Sequence, residues 1–321
     1  MNSKKFPELK ELFIKRMKEL LGEDFGDYIE ILKKPPVRSI RCNTLKISPE
    51  ELKKRLEKKG WKINSLWKNY PEIMVVESNL EPGELGRSLE HLLGYYYIQE
   101  LASMLPVIAL EPKPGELILD LCSAPGSKTT QLASKMENTG TIIANEVSLG
   151  RIKILASNLE RCGVINTIIT KKDGAALCRI LKKEGFSFDK ILVDAPCSGE
   201  GTLRSSPKTY SMWNINTIKN LPKIQRSLVM SAFELLKVGG EIVYSTCTHA
   251  PEENEGVVDS VLNYLNERIK IESISLPIKS RSGIKKWEDK EYLEEVKYSC
   301  RIYPQDADTE GFFIAKFMRV K

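Results

Sequence analysis

Paired cysteines, histidines and long apolar runs are what this chain has least of. Its seven cysteines (Cys42, Cys122, Cys162, Cys178, Cys197, Cys247 and Cys300) are odd in number, form no CxxC pair and are joined by only two histidines. Neither a disulfide framework nor a zinc site is expected, and no metal. No apolar run reaches the roughly 18 residues that span a bilayer, and the opening MNSKKFPELKELF is too charged for a signal peptide. No membrane partner and a cytoplasmic location follow as expectations. GxGxxG and GxxxxGK[ST] spacings are missing too, so a nucleoside diphosphate is not the natural ligand.

What is present suits a soluble globular protein: 321 residues, 41% of them apolar and 29% charged, enough for a catalytic domain and a smaller module. The net charge of +6 is compatible with a polyanionic partner, although solvated lysine-rich faces give the same figure. Apolar spacing predicts an amphipathic helix over 7–21, an extended segment over 34–47, and a second helix after Ser48 and Pro49. Arg38, Arg41, Asn43 and Lys46 lie on the extended segment and would meet phosphate or bases, or form an ordinary exposed strand edge. Tyr95, Tyr96 and Tyr97, followed by Gln99, Glu100 and Ser103, are expected on a helix within 91–110. They would stack bases or, as the favoured reading, pack between domains.

From Glu116 strands and helices alternate, which signals an α/β fold with a parallel sheet covered on both faces. The strands are expected at 116–122, 141–148, 167–173, 188–196 and 241–247. A long helix over 216–237 should break near Pro222, and another should begin at Pro251. The end of the chain should add antiparallel strands, and residues 279–297 read as a charged surface insertion.

Chemistry gathers at the carboxyl ends of these strands, where parallel sheets bind ligands. Asp120 to Thr130, DLCSAPGSKTT, is a turn of small residues, and Lys128 beside the helix start suits a carboxylate such as the amino-acid end of S-adenosylmethionine. Glu146 ends the second strand and can accept from both hydroxyls of an unphosphorylated ribose. Asp173 ends the third and would take an adenine amino group; Asp194 ends the fourth, near the sulfonium. Cys197 and Cys247 close strands four and five. A thiol that adds to C6 of a pyrimidine turns C5 into an enamine-like carbon able to accept a methyl group. Local chemistry leaves open which of the two attacks.

The segments DLCSAPGSKTT, DAPCSGEGT and YSTCTHAPEENE, in this order, resemble the Sun/nucleolar-antigen (Fmu/Sun-type) family of RNA 5-methylcytosine methyltransferases. The likeness extends to RSIRCNTLKIS, GYYYIQELASMLP and RIYPQDADTEGFFIAKF, and with it nearly the whole chain. It implies a Rossmann-like class I S-adenosylmethionine-dependent methyltransferase domain over 111–321 and a small α+β RNA-binding module over 1–110. Cofactor binding would fall to Cys122, Ser123, Ala124, Pro125, Gly126, Ser127, Lys128, Glu146, Arg151, Asp173 and Asp194. Cys247 would be the nucleophile and Cys197 would aid release; Asp194 and Lys128 would attend the base. The family's loop is usually CAAPGGKT, so Ser127 should keep φ below zero, with cofactor affinity the property at stake. The implied partner is a structured RNA, transfer RNA before ribosomal RNA, met by a monomer. A small-molecule or protein methyltransferase would need neither thiol, and a non-catalytic RNA-binding protein would leave Cys247 idle.

Overall fold

The structure is a computed structural model describing residues 9–206 and 211–321; residues 7 and 8 of the first expected helix lie outside it. α1 (Glu11–Leu21) and α2 (Phe25–Leu32) turn Phe13, Met17, Leu21 and Tyr28 against Leu203, Trp213 and Tyr303, from much later in the sequence. Next come β1 (Ser39–Cys42), α3 (Pro49–Glu57), β2 (Ile63–Ser65), β3 (Ile73–Val76), single turns α4 (Glu84–Arg87) and α5 (Leu89–Leu92), and β4 (Tyr96–Ile98). The strands form an antiparallel sheet ordered β2-β3-β1-β4. Ser48 Oγ caps α3 by accepting from Glu51 N, and Leu52 and Leu56 bury against Ile40, Ile63 and Met74.

The tyrosines depart from expectation, because Tyr96 and Tyr97 stand on β4 and not on a helix. The Tyr96 hydroxyl donates to Leu85 O, and the Tyr97 ring lies between the guanidinium groups of Arg41 and Arg161. Both are packing residues, and the basic segment is turned inward only in part: Arg41 and Asn43 are buried, while Arg38 and Lys46 stay exposed. Arg41 is 2% exposed and donates to Gln99 Oε1, Ser127 O and Thr130 Oγ1. Asn43 Nδ2 donates to Gly94 O and Cys162 O, Lys46 to Leu93 O and Arg161 O, and Arg38 to Leu80 O.

The helix of this region is α6 (Leu101–Leu110), capped by Glu100 through Ser103 N. Every residue but Ser103 is apolar and buried, packed against Ile118, Ile142, Leu192, Val243 and Ile314 of the main sheet.

That sheet is built from β5 (Leu117–Asp120), β6 (Thr141–Asn145), β7 (Thr167–Thr170), β8 (Phe188–Asp194) and β9 (Leu236–Thr246). The later strands are β10 (Ile269–Glu272), β11 (Arg281–Ser282), a separate hairpin of β12 (Lys286–Trp287) and β13 (Lys290–Glu291), β14 (Cys300–Ile302) and β15 (Phe312–Arg319). The order is β11-β14-β15-β9-β8-β5-β6-β7, with β10 beside β15; β5 to β9 are parallel, and β10, β14 and β15 antiparallel. This is the expected α/β architecture. α7 (Ser127–Lys135) and α6 cover one face, while α9 (Gly174–Lys183) and the helices Ile215–Phe233 and Glu255–Leu265 cover the other. α8 (Leu149–Cys162) packs Leu155 and Leu159 on Ala144.

Three boundaries move. The helix Ile215–Phe233 runs through Pro222 unbroken, because Ile218, Pro222, Gln225 and Val229 keep one buried face. The next helix begins at Glu255, since Pro251 to Asn254 form a turn. Residues 279–297 are more than a surface insertion: Trp287 is buried under Arg16, and Arg281 bridges Asp24 and Asp306.

Candidate active site

β5 and β8 are neighbours although β6 and β7 intervene in sequence, so the chain reverses direction across the sheet between them. A crevice opens at such a point, outside the carboxyl ends of the strands. Here it is a cavity of 420 Å³ lined by Cys122, Ala124, Pro125, Glu146, Arg151, Asp173, Asp194, Cys197 and Cys247, with Ile224 and Leu228 as an apolar wall. That volume lies in the range of cofactor sites.

Glu146 is buried; Oε1 accepts from Ser148 N at 2.9 Å, and Oε2 pairs with Arg151 at 3.0 Å. Arg151 also donates to Ala124 O, which ties the Pro125 turn to the acidic strand end. Asp173 Oδ1 caps α9 through Ala176 N at 2.9 Å, and the adjoining Gly174 has no room for a side chain, since a Cβ would meet Leu228 at 2.6 Å. Carboxylates at two successive strand ends beside an apolar wall fit the ribose and adenine of S-adenosylmethionine.

The loop itself is braced from behind. The positive φ of 103° falls on Gly126, and Ser127 starts α7 with none, as expected. Ser123 Oγ donates to Asn145 O, and Thr129 donates to Asp120 Oδ2 at 2.7 Å. Burial pushes the Asp120 carboxyl up to about 7. Ser123, Gly126 and Ser127 do not line the cavity; they shape the turn that does.

A second cavity of 220 Å³ shares Asp194, Ala195 and Cys247 with the first and adds Glu100, Ser103, Lys128, Thr202, Ser205, Glu310 and Phe312. Lys128 lines this cavity and not the larger one. Its Nζ lies 2.7 Å from Asp194 Oδ2 and 3.1 Å from Ser103 Oγ, which leaves one N–H of the ammonium for a further acceptor. Ser245 Oγ donates to Asp194 Oδ1 at 2.7 Å. Glu310 accepts from Ser205 N at 2.7 Å, and burial pushes its carboxyl up to about 7.

Cys197 Sγ and Cys247 Sγ stand 3.1 Å apart at the junction of the two cavities. The hydrogen bond to Cys247, then burial, raises the Cys197 thiol well above its ordinary range. Either sulfur can be the donor in this contact. Asn254 clasps the other turn: it accepts from Thr246 Oγ1 at 2.6 Å and donates to Thr248 O at 3.0 Å. Gly201 N donates to Cys247 O at 2.9 Å, and a Cβ on Gly201 would sit 2.3 Å from Gly311 O, so only glycine fits beneath Cys247.

The structure thus gathers Cys197, Cys247, Asp194, Glu146, Asp173, Arg151 and Lys128 around two adjoining cavities. Sequence reasoning missed Asn254, Glu253, Gln225, Gly201 and Glu310. All but Gln225 lie inside segments that carry the family likeness, which was the available signal.

A Rossmann-like sheet with a strand-end cavity of this make-up defines an S-adenosylmethionine-dependent methyltransferase. The family of 16S rRNA methyltransferase RsmB/F matches residues 107–318, and the N-terminal domain of 16S rRNA methyltransferase RsmF matches 9–101. The chain belongs to the RsmB/F family of S-adenosylmethionine-dependent RNA cytosine-5 methyltransferases. It is 40% identical to the tRNA (cytosine(49)-C(5))-methyltransferase of Pyrococcus abyssi, over 98% of this chain and 97% of that protein. It is 39% identical to ribosomal RNA small subunit methyltransferase F of Aliivibrio salmonicida, where it spans 64% of the relative's length. Among solved structures, a methyltransferase homolog from Pyrococcus horikoshii superposes with TM-score 0.83 at 36% identity, covering 97% of this chain and 95% of that one. NSun6 from the same organism, solved with SFG, a cofactor analogue, gives TM-score 0.82 at 27% identity over 98% and 99% of the chains.

Proposed function

We propose that this chain methylates C5 of cytosine in a structured RNA, transfer RNA in first place, through a covalent bond between Cys247 Sγ and C6 of the base. The observation that carries the reading is the Cys197–Cys247 pair, 3.1 Å apart, on the wall between a cofactor-sized cavity and a smaller one. The Cys247 thiolate adds to C6, and Asp194, steadied by Lys128 and Ser245, contacts the N3–N4 edge where charge develops. S-adenosylmethionine, held by Glu146, Asp173 and the 122–126 turn, supplies a methyl group that the electron-rich C5 accepts. A water molecule takes the C5 proton, the C5–H electrons rebuild the C5–C6 double bond, and Cys247 Sγ leaves C6 as the thiolate. Cys197, beside Cys247, aids that release.

The target base must leave its stack to reach the smaller cavity, at a cost of a few kcal/mol, which favours loops and junctions. The amino-terminal α+β portion is assigned the holding of RNA, and the protein is read as a cytosolic monomer. Transfer RNA is favoured because nearly every part of the Pyrococcus abyssi enzyme has its counterpart here. Ribosomal RNA is the second reading, supported by the RsmF relatives.

The test is labelled S-adenosylmethionine with total RNA lacking 5-methylcytosine, followed by bisulfite mapping. Protection at a few transfer RNA positions is expected. Protection only in ribosomal RNA moves the substrate, and no protection anywhere overturns the proposal.

A further inference from the structure

Behind the two thiols lies a buried polar pair that the reaction as proposed does not use. Glu253 and Gln225 are both fully buried. Glu253 Oε2 accepts from Ser198 N at 3.0 Å and from Gln225 Nε2 at 2.8 Å. The same Gln225 nitrogen donates to Pro196 O at 2.9 Å. The pair therefore grips the main chain on both sides of Cys197. Glu253 is itself fixed to the sheet, since the buried Tyr244 hydroxyl of β9 donates to Glu253 O at 2.5 Å. Cys247 follows the same strand, so the turn bearing Cys197 hangs from the segment that bears Cys247.

The arrangement is costly to keep. A carboxyl without exposure loses its hydration, and burial pushes Glu253 up to about 7 even though Ser198 and Gln225 pull it down. Its Oε1 and Gln225 Oε1 have no hydrogen-bond partner among the described residues. An apolar pair would fill the same space more cheaply, but it would leave the Ser198 N–H without an acceptor and the turn without a register. Among the described residues Cys197 Sγ makes one polar side-chain contact, to Cys247, so its position depends on where this turn is held.

We propose that Glu253, with Gln225, is a positioning residue that fixes Cys197 against Cys247 and so governs how fast the covalent adduct is resolved, while leaving its formation to Cys247 and Asp194. This rests on the reading in which Cys247 attacks and Cys197 aids release. A misplacement of about 1 Å at a reacting group can cost on the order of 100-fold in rate, so the effect belongs on the release step alone.

The experiment uses the full chain and a transfer RNA substrate under single-turnover conditions. Formation and decay of the denaturation-resistant protein–RNA adduct are followed separately for wild type, Cys197→Ala, Glu253→Met, Glu253→Gln and Gln225→Met. Glu253→Met, tested beside Glu253→Gln, removes the acceptor of Ser198 N and Gln225 Nε2 and is expected to form adduct within about threefold of wild type and to release it about 10- to 100-fold more slowly, so that adduct accumulates as it does in Cys197→Ala. Glu253→Gln, which keeps a carbonyl acceptor, should release it at close to the wild-type rate. Gln225→Met, which keeps the side-chain volume, should show the slow release to a smaller degree and decides the matter if Glu253→Met does not fold. Release at the wild-type rate in Glu253→Met and Gln225→Met, or equal loss of formation and release, overturns the proposal. If Cys197→Ala itself releases normally, the underlying assignment of the thiols fails. If Cys197→Ala accumulates adduct and Glu253→Met does not, only the present inference fails.

Discussion

Lys128 Nζ meets Asp194 Oδ2 at 2.7 Å while lying 5.3 Å from the centre of the Phe312 ring, so one ammonium joins α7, β8 and β15 at the smaller cavity. Lys128→Met should leave the affinity for S-adenosylmethionine within about twofold of wild type and lower kcat about 100-fold, as loss of a charge-stabilising donor does. Calorimetric titration with the cofactor and methyl-transfer kinetics check both halves. Weakened cofactor binding would return Lys128 to the amino-acid end.

The two thiols should part company on mutation. Cys247→Ala is expected to form no adduct and no product, whereas Cys197→Ala forms an adduct that survives denaturation. Gel mobility of the protein with radiolabelled RNA reads this directly, and equal behaviour of the two variants would refute the assigned roles.

Glu146→Gln removes a charged acceptor facing the proposed ribose and the partner of Arg151. Cofactor Kd should rise about 10- to 100-fold, as expected for hydrogen bonds to an ionised group, with little change in kcat at saturation. An unchanged Kd would exclude Glu146 from the ribose site.

Arg41→Met strips three acceptors, one of them the Ser127 carbonyl at the start of α7. Stability should fall by about 3 kcal/mol, lowering Tm by roughly 6 °C or more. Thermal unfolding followed by circular dichroism is the measurement; a shift below 2 °C would mean these bonds are replaced by water.

Asp120, Glu253 and Glu310 each have a carboxyl pushed up to about 7, with burial the first cause. In the unfolded chain they release their protons near pH 4, so between about pH 4 and 7 the folded protein holds more protons and stability falls as pH rises. The contribution is fully present below pH 4 and lost above 7. Tm should therefore be lower at pH 8 than these groups alone would allow at pH 5.5, and Asp120→Asn, which keeps the acceptor for Thr129, should shrink the difference. An identical slope in the variant would sink this account.

The alternation of strands and helices, the acidic strand ends and the two strand-end cysteines were legible because each is written in adjacent residues: apolar runs, turn formers and a carboxylate or thiol at the break. Contacts over long separations were not. Lys128 finds Asp194 across 66 positions and Arg41 finds Ser127 across 86, and nothing near either residue announces the partner. The tyrosines misled for a related reason. Three aromatic residues suit a helix or a strand, and only pairing with β1, through Tyr97 opposite Arg41 and Tyr96 opposite Cys42, decides between them. Pro222 was misjudged because a proline's local preference yields to a buried face continued on both sides of it.

The inward-turned strand β1 has a mechanical consequence. Arg41 reaches Ser127 and Thr130 of α7, Asn43 reaches Cys162 at the end of α8, and the Lys46 ammonium reaches Arg161 O beside it, so the amino-terminal sheet is bolted to the helices that frame the 122–126 turn. No swivel between the lobes is open without breaking those bonds. In the proposed reaction the enzyme accordingly behaves as a fixed template, and the bending and unstacking needed to bring a cytosine to Cys247 must be done by the RNA.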